Sequence, residues 1–197
     1  MKNVLQQLRF AQWLAIAALA LGSAQAVADD DDDDHGGGAP NTVEVLASTN
    51  GAEALVGAVV YVEQSGVLDF SLVDFLSDRR NRFILFAPTN PAFENLLGLD
   101  AGSLDGLSSA DIANALGGFV PADAVAGILL KHVVPSNRLG WRASETALLR
   151  KGSATAADGS ELEVGVGATG VTVNDSTIIK ANVRTRNSVI HFIDTVL

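Results

Sequence analysis

Apolar positions in the first half of the chain recur at helical spacing. Leu55, Val59 and Val62 stand at i, i+4 and i+7, and Gly66 follows where a helix can close on a left-handed residue. Leu68, Leu72, Phe75 and Leu76 repeat the pattern, and the turn Arg79-Arg80-Asn81-Arg82 then leads into Phe83-Ile84-Leu85-Phe86. A short apolar run with no polar face predicts a strand buried on both sides. Pro88 closes it, and Asn90-Pro91 is a favourable N-cap and N1 pair for a helix carrying Phe93, Leu96 and Leu97. Ser108 and Asp111 are spaced as a capping box ahead of Ile112 and Leu116, with Gly117-Gly118 as the expected end. Pro121 opens a further helix whose buried stripe is Val125, Ile128, Leu129 and His132, with Lys131 pointing off that stripe.

From about Ala147 the spacing becomes strand-like. Asp158-Gly159 and Asn174-Asp175 are expected hairpin turns between Leu162-Glu163-Val164, Val171-Thr172-Val173 and Ile178-Ile179. The closing run Ser188 to Leu197 carries apolar side chains on both strand faces and is expected to be interior. Helices early and hairpins late indicate an α+β fold.

Composition narrows the function. The 197 residues hold 13 Lys plus Arg against 23 Asp plus Glu, a formal charge of −10, the opposite of a nucleic-acid-binding surface. With no cysteine there is no disulfide, thiolate zinc site, thiol nucleophile or lipid-modified N-terminal cysteine. Lys2 and Arg9 precede the apolar run Trp13 to Leu21, and Ala24-Gln25-Ala26 and Ala26-Val27-Ala28 offer cleavage signals, the layout of a secretory signal peptide over residues 1–28. No membrane span is expected after its removal. Residues 29–41, opening on six aspartates, Asp29 to Asp34, read as a solvated, disordered segment. Residues 42–197 suffice for one domain that buries roughly 70% of its unfolded surface.

Three ordered motifs resemble those of the fasciclin (FAS1) domain family. Phe83-Ile84-Leu85-Phe86-Ala87-Pro88-Thr89-Asn90-Pro91-Ala92-Phe93 resembles its first signature, and Asn187-Ser188-Val189-Ile190-His191-Phe192-Ile193-Asp194-Thr195-Val196-Leu197 its second. Leu129-Leu130-Lys131-His132-Val133-Val134 resembles the Tyr-His motif between them, and Val171-Thr172-Val173-Asn174 the strand before the last hairpin. The resemblance spans Thr42 to Leu197. It implies a twisted β-sheet wedge flanked by several α-helices, in exported or surface-attached proteins that adhere through weak contacts with other proteins or matrix. Phe86, Pro88, Thr89, Phe93, His132, Asn187, His191 and Asp194 then become structural signature residues. Lys131 stands where the family usually has Tyr, so an adhesive role of that tyrosine does not transfer; Asn187-Ser188 replaces the usual Asn-Gly.

Chemistry-bearing residues have plainer readings. His132, His191 and Asp194 are types that ligate zinc or move protons, but both histidines sit on expected buried faces, where hydrogen bonding within the core is favoured. Ser188 near His191 and Asp194 lacks a G-x-S-x-G context. Gly165-Val166-Gly167-Ala168-Thr169-Gly170 matches a dinucleotide fingerprint yet precedes a strand, where the fingerprint must open a helix. No catalytic, metal or cofactor site is therefore expected. Arg79, Arg80, Arg82, Arg184 and Arg186 cluster before the two signatures and, with Lys131, form a candidate interaction patch; if the two signature strands are parallel neighbours, the five arginines share one end of the sheet, where an acidic polysaccharide or the chain's own aspartate segment would meet them. The expected function is a non-catalytic adhesion or matrix-interaction module in the periplasm or at the cell exterior, its partners surface or matrix proteins, polysaccharides or a second copy of itself, and not nucleic acid. A carrier of a small hydrophobic ligand is the alternative.

Overall fold

The computed structural model describes residues 39–135 and 144–197; the expected signal segment and the aspartate run lie outside them. The described residues form α1 (Thr42–Ala47), α2 (Glu53–Ser65), α3 (Leu72–Ser77), β1 (Phe83–Pro88), α4 (Asn90–Leu97), α5 (Ser109–Phe119), α6 (Ala122–Lys131), β2 (Val133–Pro135), α7 (Glu145–Lys151), β3 (Ser153–Thr155), β4 (Glu161–Val166), β5 (Val171–Val173), β6 (Ser176–Arg184) and β7 (Ser188–Ile193). The fold is α+β, one mixed sheet in the order β2-β1-β7-β6-β5-β4-β3 with helices against it.

β1 and β7 are the central strands, and every residue of each is buried. They run parallel in register from Phe83↔Ser188 to Pro88↔Ile193. Successive side chains alternate between two layers because the strand period is two. Phe83, Leu85, Ala87, Ile190 and Phe192 join a core with Leu55, Val59, Val62, Ile112 and Leu129 from the helices. Ile84, Phe86 and Ile193 join a second core with Leu148, Leu162, Val164 and Val173 from α7 and the hairpins. The sheet curls so that its far end returns: the N–H of Ala157, just past β3, donates to the Val133 carbonyl of β2 at 2.7 Å. That closure encloses the second core.

Local chemistry sets the element ends. Asn41 caps α1 by a complete capping box with Glu44, and Ser108 caps α5 in the same way with Asp111. Gly66, at φ 64, ends α2 in the left-handed region. Asn174, at φ 51, makes the β5–β6 turn, and its side chain accepts from the Glu163 N–H at 2.9 Å. Gly167 and Gly170 pair across the β4–β5 hairpin at 2.7 Å, so the glycine string opens no helix.

Four local expectations are corrected. Ala147 lies in helix α7, with acidic Glu145 in its first turn, Arg150 and Lys151 in its last and Leu148 fully buried, and strand structure begins only at Ser153. Thr89, not Asn90, is the N-cap of α4. The Asn90 amide is used across the fold instead, accepting from the Ala54 N–H at 2.9 Å and donating to Glu53 Oε2 at 2.9 Å. α5 continues through Gly117 and Gly118 to Phe119, and Ile128 is only half-buried.

Candidate functional site

His132 closes α6 and is 1% exposed. Its Nε2 accepts from the Leu197 N–H at 3.0 Å, which places the ring proton on Nδ1, where it donates to the Ile128 carbonyl at 2.7 Å. Burial disfavours the imidazolium and, against a smaller opposing effect of the Ile128 bond, lowers its pKa to about 4. His191 sits in β7 opposite Phe86, with ring centroids 5.8 Å apart, and its Nδ1 faces the Asn182 N–H at 3.5 Å. Asp194 faces elsewhere. Burial acts to raise its pKa, but bonds from the Thr177 N–H at 2.8 Å, Thr195 Oγ1 at 3.1 Å and Ser176 Oγ at 3.3 Å outweigh that and hold the carboxyl below its usual range. The structure does not gather His132, His191 and Asp194 into one cluster: among the described residues no group of three or more His, Asp or Glu is placed to hold a metal ion.

Asn187 is a fully buried junction. Its Oδ1 accepts from the Thr42 N–H at 3.2 Å, Thr42 Oγ1 at 3.0 Å and Thr185 Oγ1 at 3.3 Å, while Nδ2 donates to the Leu76 carbonyl at 2.8 Å and that of Asp78 at 3.3 Å. One amide thus ties α1, the end of α3 and the β6–β7 turn. Pro88 pairs with Ile193 in register, and the Thr89 N–H donates to the Ile193 carbonyl at 3.2 Å, so the strand half of the first signature is sewn to the second. Phe86 and Phe93 fill the two cores, at 0% and 5% exposure.

Parallel pairing of β1 and β7 puts the arginines together. Arg79 and Arg80 lie in the turn before β1, Arg82 precedes Phe83, Arg184 ends β6 opposite Val189, and Arg186 lies in the β6–β7 turn; all five are exposed. Arg82 Nη1 donates to the Arg186 carbonyl at 2.6 Å, joining the two segments. Lys131 stands apart from them at the end of α6.

A family model for the Fasciclin domain matches residues 60–197. The chain belongs to the fasciclin-domain family. It is 32% identical over 155 residues, 79% of this chain and 71% of the relative, to Protein sll1483 of Synechocystis sp. (strain ATCC 27184 / PCC 6803 / Kazusa). It is also similar to a solved FAS1 domain pair from the insect cell adhesion molecule fasciclin I, at 20% identity and a TM-score of 0.48, covering 75% of this chain and 45% of that one. The chain thus spans less than half the length of that solved chain.

In this fasciclin domain, Asn187 is reached from sequence only through the family motif, while Asp194 is also marked by its chemistry beside His191. Sequence reasoning missed Thr42, Thr185 and Asn90, whose polar side chains are buried and bonded far along the chain; a buried-polar role for Thr42 leaves no mark in local periodicity. The apolar space between Leu55, Val59, Leu85 and His132 measures about 10 Å³, room for one water at most. A larger concavity of about 360 Å³ is lined by polar groups of β4, β5 and the β5–β6 turn, among them Glu161, Glu163, Thr172 and Asn174. Among the described residues no helix is long and apolar enough to cross a membrane.

Proposed function

We propose that the chain is an exported, non-catalytic adhesion-type module that holds a surface or matrix partner through weak contacts made in many copies. The observation that carries this reading is the use made of the signature's polar groups. His132, Asn187 and Asp194 spend their hydrogen bonds on backbone and side chains of other elements of the same domain. A group so committed holds the scaffold rigid and leaves the outer surface to meet a partner. The basic n-region, apolar run and small-residue cleavage signals of residues 1–28 support export. The apolar space beside His132, about 10 Å³, has no room for a carried ligand, which needs several hundred Å³ of apolar cavity.

Beads bearing the mature chain at graded density are the test. Avidity predicts that their attachment to cells of the native host rises more steeply than density. Attachment no better than that of beads bearing an unrelated acidic protein overturns the reading. A discrete added mass in the native mass spectrum of exported protein, released on denaturation, replaces it with the carrier.

A further inference from the structure

Five of the chain's 13 basic residues occupy the short segments 79–82 and 184–186, and the fold brings those segments to the same end of the sheet. Neighbouring strands lie about 5 Å apart, so the ends of β1, β7 and β6 span about 10 Å. The arrangement is built rather than incidental. Asn81 Nδ2 donates to the Phe75 carbonyl at 3.0 Å and Asn187 Nδ2 to that of Asp78 at 3.3 Å, pinning the turn that carries Arg79 and Arg80. Arg82 bonds the Arg186 carbonyl, and Arg186 Nε donates to the Ala39 carbonyl at 2.9 Å. Asp78 is the acidic group built into the turn, its Oδ1 accepting from the Arg80 N–H at 2.8 Å. Among the described residues the guanidinium groups of Arg79, Arg80 and Arg184 have no hydrogen-bond or ion-pair partner.

The geometry points to this arginine end as a polyanion-recognition face whose ligand is an acidic polysaccharide. It rests on the adhesion reading above and names the partner's chemistry. Planar guanidinium groups take carboxylate or sulfate oxygens in pairs, and several on one rigid edge meet successive acid groups of an extended chain. Charge density selects the polymer. Duplex DNA carries one negative charge per roughly 1.7 Å, and a protein of formal charge −10 repels so dense a strand wherever it extends past the arginines. A polysaccharide with at most one acid group on each sugar is less densely charged, so it sets fewer uncompensated charges against the acidic surface beyond the patch.

Alginate immobilised on a sensor surface is the probe, with uncharged dextran and double-stranded DNA as comparators and the mature chain in solution. Saturable binding to alginate is expected, weakened at least about tenfold by the double variant Arg80→Glu/Arg184→Glu, because like charges brought together are costly. Raising salt from about 50 to 300 mM weakens the wild type more than the variant. The milder Arg80→Gln/Arg184→Gln loses a smaller factor, and unchanged melting temperatures show that both variants are folded. Equal binding by wild type and both variants, equal binding to dextran, or stronger binding to DNA overturns the assignment. So does failure of the wild type to bind alginate: if its beads still attach to host cells, only the ligand is wrong, and if they do not, the adhesion reading fails with it.

Discussion

The imidazole Nε2 of His132 and the backbone N–H of Leu197 meet at 3.0 Å, fastening the end of α6 to the last residue of the chain. The bond needs a neutral ring. The folded pKa, about 4, lies below the ordinary 6.5, so between those values the unfolded chain binds the proton and the folded one does not. Stability from this group is complete above about pH 6.5 and is lost as the pH falls toward 4, on the order of 3 kcal/mol in all. Urea unfolding at pH 7.5, 6, 5 and 4 is expected to show that loss in wild type and a flatter profile in His132→Gln, which cannot titrate. Nuclear magnetic resonance supplies the direct check. A His132 ring that titrates near 6.5 in the folded protein contradicts the prediction.

Asn187 acts as donor and acceptor at once, so an isosteric replacement separates those roles. Asn187→Asp keeps acceptors for Thr42 and Thr185 but turns an oxygen toward the Leu76 and Asp78 carbonyls. Expected destabilisation is about 3 kcal/mol, from a buried charge and unpaired carbonyls. Thr42→Val keeps the shape and loses Oγ1, costing about 1 to 2 kcal/mol. In the double variant Thr42→Val/Asn187→Ala the losses are expected to fall short of additive, since both remove the same bond. Fully additive losses in denaturant melts are the contrary result.

Asp194 predicts a separate acid transition. With its pKa held below the usual carboxylate range, its contribution is present above about pH 4 and is lost as the pH falls through the lower folded value. Asp194→Asn should therefore be less stable by about 1 kcal/mol at pH 7, and the gap should narrow at pH 3. A gap that stays constant across that interval means the carboxylate's charge contributes nothing.

Legibility in the sequence followed the reach of each interaction. Phe83 to Phe86 announce a buried strand because both side-chain faces are apolar, and all four are buried; of the closing run Ser188 to Leu197, expected to be interior throughout, Ser188 to Ile193 is buried, whereas Asp194, Val196 and Leu197 are half-buried and Thr195 is exposed once the strand has ended. Leu55, Val59 and Val62 announce a helix face for the same local reason, and that face is core. The seven residues of α7 hold three apolar positions, Ala147, Leu148 and Leu149, that fit either period, so local spacing does not separate helix from strand there. Asn90 looked like a cap because caps are local, but its amide works 36 residues away on Ala54. The Asn187 junction reaches Thr42 across 145 residues, and no window of sequence contains both. Whether the arginines meet depended on β1 and β7 pairing in parallel, which composition does not specify.

Gly57 carries another such hidden constraint. A Cβ there would lie 2.9 Å from Ile112 Cβ and Cγ2 and 2.9 Å from the Ser109 carbonyl oxygen, so the glycine is what lets α2 and α5 cross closely. Replacing a helical glycine by alanine ordinarily favours the helix by about 1 kcal/mol. Here the backbone oxygen cannot swing aside, and pushing the helices apart costs more than that, so Gly57→Ala should destabilise by about 2 kcal/mol net. Gly127 supplies the control. It lies inside α6, is exposed, and nothing stands within 4 Å of the position its Cβ would take. Gly127→Ala should stabilise by about 0.5 to 1 kcal/mol. Thermal melts of the two single variants test opposite signs from one chemical change. A shift of the same sign in both means that propensity alone governs these helices, and that the close crossing of α2 and α5 does not constrain position 57.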